Sequence, residues 1–307
     1  MRIRLNPSNP VDLEVTLCCG QAFRWDKHDG WWYGVVGDRA FKTRQAGDEL
    51  EFENTDAGFV EHYFGLNDDL TMILPGISRD DHIKQAVRMF RGLRILRQNR
   101  WECLISYICA TYKNIEAIKQ MLSKLCRKFG NRVRFDNTNF YTFPTPEKLA
   151  AASKTQLLEC GLGYRADYVH ETARTIFDSK FSIERLEKTS YEEARTELRT
   201  FRGVGPKAAD CILLFSLGKF EAFPVDVWIK RAILRHYANH FPREFTTSIK
   251  EKDTLTRSQY EKLSLFGRSY FGKFAGYAQE YLYHYERTAN RAFHAGRAQA
   301  AGRELLL

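Results

Sequence analysis

Apolar and polar residues alternate along the first part of the chain with the period of two that is typical of β-strands. From Val11 to Leu17 every second residue is apolar, which predicts a half-buried strand. Turn dipeptides that contain glycine follow at positions 29–30, 37–38 and 47–48, with short aromatic and β-branched segments between them. This regular spacing predicts an antiparallel sheet in which strands that are neighbours in sequence pair with each other.

Beyond about residue 80 the apolar residues recur every three or four positions, the period of a helix with one buried face. Helices are predicted over roughly 165–178, 190–200, 206–217, 226–239 and 257–288. The chain is therefore predicted to have an α+β fold, with an antiparallel β domain followed by a mainly helical one. The predicted limits are 1–80 for the β domain, 81–290 for the helical domain and 291–307 for a disordered tail rich in Ala, Gly and Arg.

The composition is that of a folded protein with a basic surface. Hydrophobic residues make up 44% of the 307 residues and charged residues 28%, which argues against intrinsic disorder. Lys and Arg total 47 against 38 acidic residues, and this net charge of +9 favours a polyanionic partner such as nucleic acid. No apolar segment approaches the roughly 18–20 residues that a membrane span requires, so no membrane partner is expected.

The cysteines and the N-terminal residues both bear on the compartment. The seven cysteines include no CxxC pair, so we expect reduced thiols and neither a four-cysteine zinc site nor an iron–sulfur site. No apolar leader segment follows the first methionine, so no secretion signal is expected. The sequence therefore predicts a cytoplasmic, nucleoid-associated protein in a prokaryote, or a nuclear one in a eukaryote.

The most informative segment is a glycine-rich turn between two predicted helices. Residues 198–205 read Leu-Arg-Thr-Phe-Arg-Gly-Val-Gly, and Pro206 then opens a new helix at its first position. Gly203 and Gly205 permit a tight turn, and the free amide groups at a helix N-terminus attract an anion. In a basic protein the expected ligand of Gly203, Val204 and Gly205 is a DNA backbone phosphate, although an ordinary helical hairpin is the plainer alternative.

Lys207 lies in the first turn of that helix, where the helix dipole disfavours a positive charge. An uncharged lysine can form a Schiff base, so Lys207 is a candidate nucleophile; the alternative is a lysine that only pairs with phosphate. Cys211 follows on the same helical face, as either a core thiol or part of the same pocket. Asp226 precedes an apolar segment and is expected to cap the next helix, and a carboxylate beside an amine can also stabilise charge and transfer protons.

These residues, together with four further motifs, resemble a known family. The motifs are Cys-Gly-Gln-Ala-Phe-Arg-Trp at 19–25, Ser-Tyr-Ile-Cys at 106–109, Gly-Leu-Gly-Tyr-Arg-Ala at 161–166 and Ala-Gly-Tyr-Ala-Gln at 275–279. With Lys207 and Asp226 they resemble the helix–hairpin–helix Gly/Pro/Asp superfamily of DNA base-excision glycosylases, and more narrowly the two-domain 8-oxoguanine DNA glycosylases. The resemblance covers about residues 5–290.

The resemblance implies a TBP-like β domain, a helix–hairpin–helix glycosylase domain, and a bifunctional enzyme that acts on duplex DNA containing 8-oxoguanine. The damaged base would be flipped into a pocket. Lys207 would attack the sugar C1′, displace the base and form a Schiff base, and β-elimination would then nick the strand. Asp226 would stabilise the positive charge on the sugar. No metal or organic cofactor is implied, and a monomer is expected because one flipped base needs one protein.

The resemblance also implies roles for four residues of a base pocket. The Gly20 carbonyl would accept the N7 proton of 8-oxoguanine, where guanine has an acceptor instead. Gln279 would read the Watson–Crick edge of the base. Tyr283, at a position where the family usually has phenylalanine, would stack on one face of the base. Cys211 would stack on the other face and pair electrostatically with Lys207.

Further residues would contact the rest of the duplex. Tyr164 would fill the gap left by the flipped base, and Arg165 would hydrogen-bond the orphan cytosine. Three positions depart from the family pattern. Trp228 replaces a histidine that contacts phosphate, and Tyr112 and Ala117 replace an asparagine and an arginine that read the opposite cytosine. The departures predict relaxed selectivity for the opposite base and leave the chemistry intact.

The sequence also allows two alternative functions. One is a glycosylase of the same superfamily for another damaged base. The lack of a cysteine cluster argues against its iron–sulfur branch, and Lys207 argues against its lysine-free alkyl-purine branch. The other alternative is a non-catalytic DNA-binding module built on the same hairpin, in which Lys207 and Asp226 would be superfluous.

Overall fold

The computed structural model describes residues 1–179, 181–252 and 254–304, with side chains described through residue 289. The first part of the chain forms a five-stranded antiparallel sheet in the order β1-β5-β4-β3-β2. The strands are Arg2–Arg4 (β1), Trp25–His28 (β2), Trp31–Val36 (β3), Arg39–Ala46 (β4) and Glu49–Glu53 (β5). Tight turns at the three predicted dipeptides connect β2 to β3, β3 to β4 and β4 to β5. In the β3–β4 pair, Tyr33 lies opposite Lys42. The predicted α+β fold class is confirmed.

The strand predicted from Val11 to Leu17 is wrong, because this segment contains a short helix, Leu13–Cys18 (α1). The Asp12 carboxylate accepts a hydrogen bond from the Val15 amide at 2.9 Å and caps the helix. Leu13, Thr16 and Leu17 are buried, a spacing that fits one face of a helix as well as the alternation fits a strand. The period of a strand and that of a helix cannot be distinguished over so few residues, and the Asp12 cap favours the helix.

The remaining part of the described chain is mainly helical. Its helices are Ala57–Tyr63 (α2), Leu70–Ile77 (α3), Asp81–Met89 (α4), Arg100–Cys109 (α5), Ile115–Phe129 (α6), Pro146–Ala150 (α7), Lys154–Glu159 (α8), Arg165–Ser179 (α9), Tyr191–Leu198 (α10), Pro206–Ser216 (α11), Val227–His236 (α12), Arg243–Lys250 (α13), Arg257–Phe271 (α14) and Ala275–Glu304 (α15). Short 3-10 turns occupy Ile183–Glu187, Ala238–His240 and Gly272–Phe274. None of these helices is long and apolar enough to cross a membrane.

The single helix predicted over 257–288 is two helices, because the chain turns at Gly272. This residue has a φ of +73°, a backbone conformation that glycine adopts without steric cost. The apolar period continues through the break, so periodicity alone does not reveal it. The predicted tail, 291–307, falls on the end of α15 and on residues outside the described part of the chain, and its disorder stays a prediction.

A two-stranded hairpin that the sequence pattern did not predict joins α6 to α7. Its strands are Arg132–Phe135 (β6) and Thr138–Tyr141 (β7). Asp136 and Asn137 form the turn with φ values of +50° and +56°, which is the geometry of a tight hairpin. The Asp136 carboxylate accepts hydrogen bonds from Tyr33 Oη and Lys42 Nζ, each at 2.7 Å, and so connects the hairpin to the first sheet.

Two apolar cores form, and a buried arginine links the segments around them. The smaller core packs the sheet against α1 and α2, and the larger one fills the helical part. Cys19 and Phe23, although N-terminal in sequence, pack into the larger core. Arg94 is fully buried and donates hydrogen bonds to backbone carbonyls of Asn9, Pro10 and the 65–68 segment. The segment before α1 is thereby held against the helical part, and the domain limits of 1–80 and 81–290 stay predictions.

Candidate active site

A cavity of about 980 Å³ lies beside the hairpin that joins α10 to α11. Its wall includes every residue that was predicted to act in catalysis or base binding: Gly20, Lys207, Cys211, Asp226, Gln279 and Tyr283. These residues come from separate segments of the chain, namely the loop after α1, helix α11, the start of α12, and α15. Only the tertiary structure brings them together.

The glycine-rich turn has the geometry of an anion site. Gly203 has a φ of +87°, and a Cβ there would lie 2.6 Å from the Tyr168 ring, so the turn requires glycine. Val204 is buried and anchors the turn. Gly205 is the N-cap of α11, and no atom of the described residues lies within 4 Å of the position of its missing Cβ. Pro206 follows at the first helical position, so the N-terminus of α11 faces open space at the edge of the cavity.

Lys207 and Asp226 both line the cavity, and each lies at the start of a helix. Lys207 is exposed in the first turn of α11. Asp226 caps α12 as predicted, because its Oδ1 accepts hydrogen bonds from the Trp228 and Ile229 amides, both at 2.9 Å. Burial raises the pKa of Asp226, and the positive charge of Lys207 and the two amide bonds lower it. The cap uses only one carboxylate oxygen, so Asp226 can serve the helix and a cationic group in the cavity together.

Cys211 lies one helical turn after Lys207 and is buried. Burial raises the pKa of this thiol to about 12, although the nearby Lys207 charge lowers it. The thiol is therefore neutral near pH 7. In the free protein its predicted electrostatic pairing with Lys207 is an interaction with the dipole of the thiol and not with a thiolate charge. Its contact with a bound base stays a prediction.

Gly20 and Gln279 offer polar groups to the cavity. Gly20 has a φ of +101°, and a Cβ there would lie 2.8 Å from Arg287 Nη1 and 3.2 Å from Tyr283 Oη. A side chain at this φ would be strained and would displace the Arg287 guanidinium, so glycine lets the backbone pass close to α15. Gln279 is 4% exposed, and its Oε1 atom has no hydrogen-bond partner among the described residues. A buried amide oxygen without a partner is costly, and a ligand in the cavity could satisfy it.

Two charged residues of α15 line the cavity, and the sequence motifs did not point to either of them. Glu280 is 2% exposed, and burial raises the pKa of its carboxyl group to about 7, against the lowering effects of the Cys19 thiol and Arg287. Arg287 is also buried, and its guanidinium donates to the carbonyls of Cys18 and Cys19. The sequence feature that could have marked them is that each is a charged residue among the apolar positions of α15.

A buried polar network holds α11 in place. Asp210 is fully buried, and its carboxylate accepts hydrogen bonds from Tyr191 Oη at 2.7 Å, Arg195 Nε at 2.7 Å and Tyr260 Oη at 2.5 Å. Arg195 and Tyr191 belong to α10, and Tyr260 belongs to α14. A buried carboxylate that loses such partners is strongly destabilising, so the network fixes the helix that carries Lys207.

Tyr164 and Arg165, which were predicted to contact DNA, lie side by side but differ in exposure. Tyr164 is 52% exposed, and the Arg165 guanidinium carbon lies 4.4 Å from its ring centroid. Arg165 is only 4% exposed and donates to the carbonyls of Thr111 and Leu162. In the free protein it is held inside the fold, and its predicted contact with the opposite cytosine requires these bonds to open.

Two of the three positions that depart from the family pattern, Tyr112 and Trp228, line the cavity. Tyr112 lines it, is 78% exposed and has a φ of +53°. Asn114 caps α6 by accepting a hydrogen bond from the Ala117 amide at 2.9 Å, so Ala117 lies in the first turn of that helix. Trp228 lines the cavity too, with the Arg231 guanidinium carbon 4.9 Å from its ring centroid.

One group of possible metal ligands occurs among the described residues, away from the cavity. The ligand atoms of His82, His236 and Glu286 lie within 4.8 Å of one another. The two imidazole rings stack with centroids 3.5 Å apart, so their in-plane lone pairs run side by side and do not converge on one point. Arg235 also forms an ion pair with Glu286 at 2.9 Å. This arrangement does not suit a bound metal ion.

Two segments of the chain match known protein families. Residues 105–252 match the HhH-GPD superfamily of base excision DNA repair proteins. Residues 2–104 match the N-terminal domain of 8-oxoguanine DNA glycosylase. The chain belongs to the 8-oxoguanine DNA glycosylase family.

Individual relatives agree with this assignment. An N-glycosylase/DNA lyase of Saccharomyces cerevisiae is 36% identical over 215 residues, which is 63% of this chain and 56% of the yeast protein. A probable N-glycosylase/DNA lyase of Methanothermobacter thermautotrophicus is 33% identical over 74% of each chain. The 8-oxoguanine glycosylase/lyase of Clostridium acetobutylicum, solved with double-stranded DNA containing cytosine opposite 8-oxoguanine, superposes with a TM-score of 0.82. It is 32% identical and covers 91% of this chain and 93% of its own.

Proposed function

We propose that this protein is a bifunctional DNA repair enzyme that removes 8-oxoguanine from duplex DNA and then nicks the strand. The observation that carries the proposal is the shared cavity in which Lys207 and Asp226 lie together with Gly20 and Gln279. A nucleophile, a carboxylate and two polar groups for a base edge meet there in a space of about 980 Å³. The names of the matched relatives support both the glycosylase and the lyase activity.

The chemical step uses Lys207 as the nucleophile. Its neutral amine forms a bond to the sugar C1′, and the N-glycosidic bond breaks with its electron pair leaving on the base, which takes up a proton. The amine then loses a proton, the C1′–O4′ bond breaks and O4′ takes up a proton, so the sugar ring opens and a protonated Schiff base forms. Removal of a C2′ proton expels the 3′ phosphate by β-elimination and nicks the strand. Asp226 stabilises the positive charge that builds on the sugar.

Recognition of the base uses the walls of the cavity. The Gly20 carbonyl accepts the N7 proton of 8-oxoguanine, and Gln279 reads the Watson–Crick edge. The Gln279 Oε1 atom is buried and has no hydrogen-bond partner in the described part of the chain, which supports this role because a donor on the base would satisfy it. Tyr283 and Cys211 enclose the base from its two faces.

The duplex binds through its phosphates at the start of α11. The turn formed by Gly203, Val204 and Gly205, at the N-terminus of α11, receives a backbone phosphate, and the net charge of +9 attracts the DNA. Tyr164 is exposed and aromatic, as a residue that fills the gap in the stack must be. One protein molecule serves one lesion, no cofactor takes part in the proposed steps, and the enzyme works where the DNA lies, in the nucleoid or the nucleus.

A trapping experiment tests this function. The protein is incubated with a duplex that contains 8-oxoguanine opposite cytosine, in the presence of borohydride, and a covalent protein–DNA adduct is measured. The wild-type protein should form the adduct, whereas Lys207→Gln should form none, release no base and still bind the duplex. Lys113→Gln, which removes another lysine from the cavity wall, is the matched control and should still trap DNA. Nicking of lesion DNA by Lys207→Gln would show that Lys207 is not the nucleophile.

A further inference from the structure

Arg287 joins two parts of the cavity that are distant in sequence. The residue is 8% exposed. Its Nη2 donates to the Cys18 carbonyl at 2.8 Å, and its Nη1 donates to the Cys19 carbonyl at 3.2 Å. Nη1 also donates to the Tyr283 hydroxyl, one helical turn earlier on α15, at 3.1 Å. One guanidinium therefore connects the turn that leads into Gly20 with the aromatic ring of the base pocket.

The chemistry of a helix end explains why an arginine lies at this position. Helix α1 ends at Cys18, and Cys19 is its C-cap. Carbonyl groups at a helix C-terminus have no partner within the helix, and a positive charge is favourable beside them. The planar guanidinium presents donors in a fixed fork, which can bind two successive carbonyls, whereas an ammonium group cannot hold both in a defined geometry.

These bonds bear directly on the orientation of Gly20. A hydrogen bond to the Cys19 carbonyl fixes the plane of the Cys19–Gly20 peptide, which is the peptide immediately before the Gly20 carbonyl. Glycine at a φ of +101° has no side chain to restrict its rotation, so its carbonyl direction depends on the neighbouring contacts. The place of the missing Gly20 Cβ lies 2.8 Å from Arg287 Nη1 and 3.2 Å from Tyr283 Oη, so both side chains flank it closely.

We propose that Arg287 is a positioning residue for lesion recognition. Through the Cys18 and Cys19 carbonyls it aims the Gly20 carbonyl at N7 of the flipped base, and through Tyr283 it holds the stacking ring in register with that carbonyl. The inference rests on the proposed function of Gly20. A carbonyl fixed in advance attracts the N7 proton of 8-oxoguanine and repels the N7 lone pair of guanine. A carbonyl free to rotate could turn away from guanine, so the distinction between the two bases would weaken.

The test measures binding without turnover. In a Lys207→Gln background, dissociation constants are measured for two duplexes, one with 8-oxoguanine and one with guanine opposite cytosine. Adding Arg287→Lys should reduce the preference for 8-oxoguanine by about tenfold or more, the effect of losing a hydrogen bond to a charged group. Affinity for the guanine duplex should stay within about twofold, because phosphate contacts supply it.

Two further variants complete the design. Tyr283→Phe keeps the ring and removes only the hydroxyl that accepts from Arg287, so the preference should fall by about tenfold, as expected for one hydrogen bond to a charged group. Arg235→Lys is the matched control, because Arg235 pairs with Glu286 of the same helix as Arg287 but lies outside the cavity wall. It should leave the preference unchanged.

The outcomes separate the inference from the function on which it rests. An unchanged preference in Arg287→Lys, or an equal loss of affinity for both duplexes, would overturn the positioning role and leave a structural helix cap. If Arg287→Lys does not fold, Tyr283→Phe decides, and an unchanged preference there overturns the inference. A parent protein that binds both duplexes equally would instead overturn the proposed substrate, and the inference with it.

Discussion

Replacing Glu280 by glutamine is expected to stabilise the protein at alkaline pH and to have little effect on its stability at acidic pH. The Glu280 carboxyl group is 2% exposed in the wall of the cavity. Burial raises its pKa from 4.5 to about 7. The folded protein therefore binds a proton that the unfolded chain has already released between these two pH values, so ionisation of Glu280 favours unfolding.

The size of the destabilisation follows from the difference between the pKa of Glu280 in the unfolded chain and its pKa in the folded protein. Below pH 4.5 the carboxyl group is protonated in both states and contributes no pH dependence. Between pH 4.5 and about 7 the destabilisation grows, and above about 7 it is complete. At about 1.4 kcal/mol for each pH unit, the full effect is about 3 kcal/mol. Glutamine has the shape of the protonated form and no charge, so Glu280→Gln should recover this free energy at pH 8.5 and little at pH 4.5.

The assay is urea unfolding of the wild type and of Glu280→Gln at several pH values, followed by circular dichroism. The difference in free energy of unfolding should rise from near zero at pH 4.5 to about 3 kcal/mol at pH 8.5, or roughly 5–10 °C in Tm. Glu147→Gln, which changes an exposed glutamate at the start of α7, is the control and should show no such trend. A difference that does not depend on pH, or a variant that is less stable than the wild type at pH 8.5, would refute the reasoning.

Three further predictions concern the proposed enzyme. Asp226→Asn keeps an oxygen that can accept the two amide hydrogen bonds of the α12 cap, so the free energy of unfolding should change by less than about 0.5 kcal/mol. The rate of single-turnover excision should fall by about 100-fold or more. If the variant instead loses its fold but keeps normal activity per folded molecule, Asp226 is only a helix cap. Non-specific duplex binding should fall linearly in log affinity against log salt concentration, by about 0.9 for each phosphate contacted, and a flat profile would contradict the phosphate contacts. Excision of 8-oxoguanine opposite C, T, G and A should favour cytosine but proceed opposite the other bases, because the Tyr112 and Ala117 positions lack matched donors. Ala117→Arg should then narrow the preference toward cytosine, whereas strict cytosine dependence of the wild type would contradict the prediction.

The sequence determined the features that depend on neighbouring residues. The turn dipeptides predicted the antiparallel sheet, because a tight turn needs particular residues at particular positions. The hairpin around Gly203 and the cap at Asp226 were predictable for the same reason, since each involves contacts within a few residues. Gln279 was marked as a candidate by the family resemblance, which rests on several motifs together, that at 275–279 among them. The prediction of secondary structure was wrong at Leu13–Cys18, where the periods of a strand and a helix overlap. It was also wrong at Gly272, where the apolar period continues through a break between two helices.

Only the tertiary structure decided how these local features combine. A cavity wall is made of residues from distant segments, and no periodicity along the chain records which segments meet. The raised pKa of Glu280 comes from the surrounding core, because burial disfavours the ionised form of a carboxyl group that would be ordinary on a surface. Arg165 has the residue type expected of a base reader, yet its neighbours hold it inside the fold. Arg287 is one basic residue among many in the sequence, and its importance lies in two carbonyls more than 260 residues away that only folding places beside it.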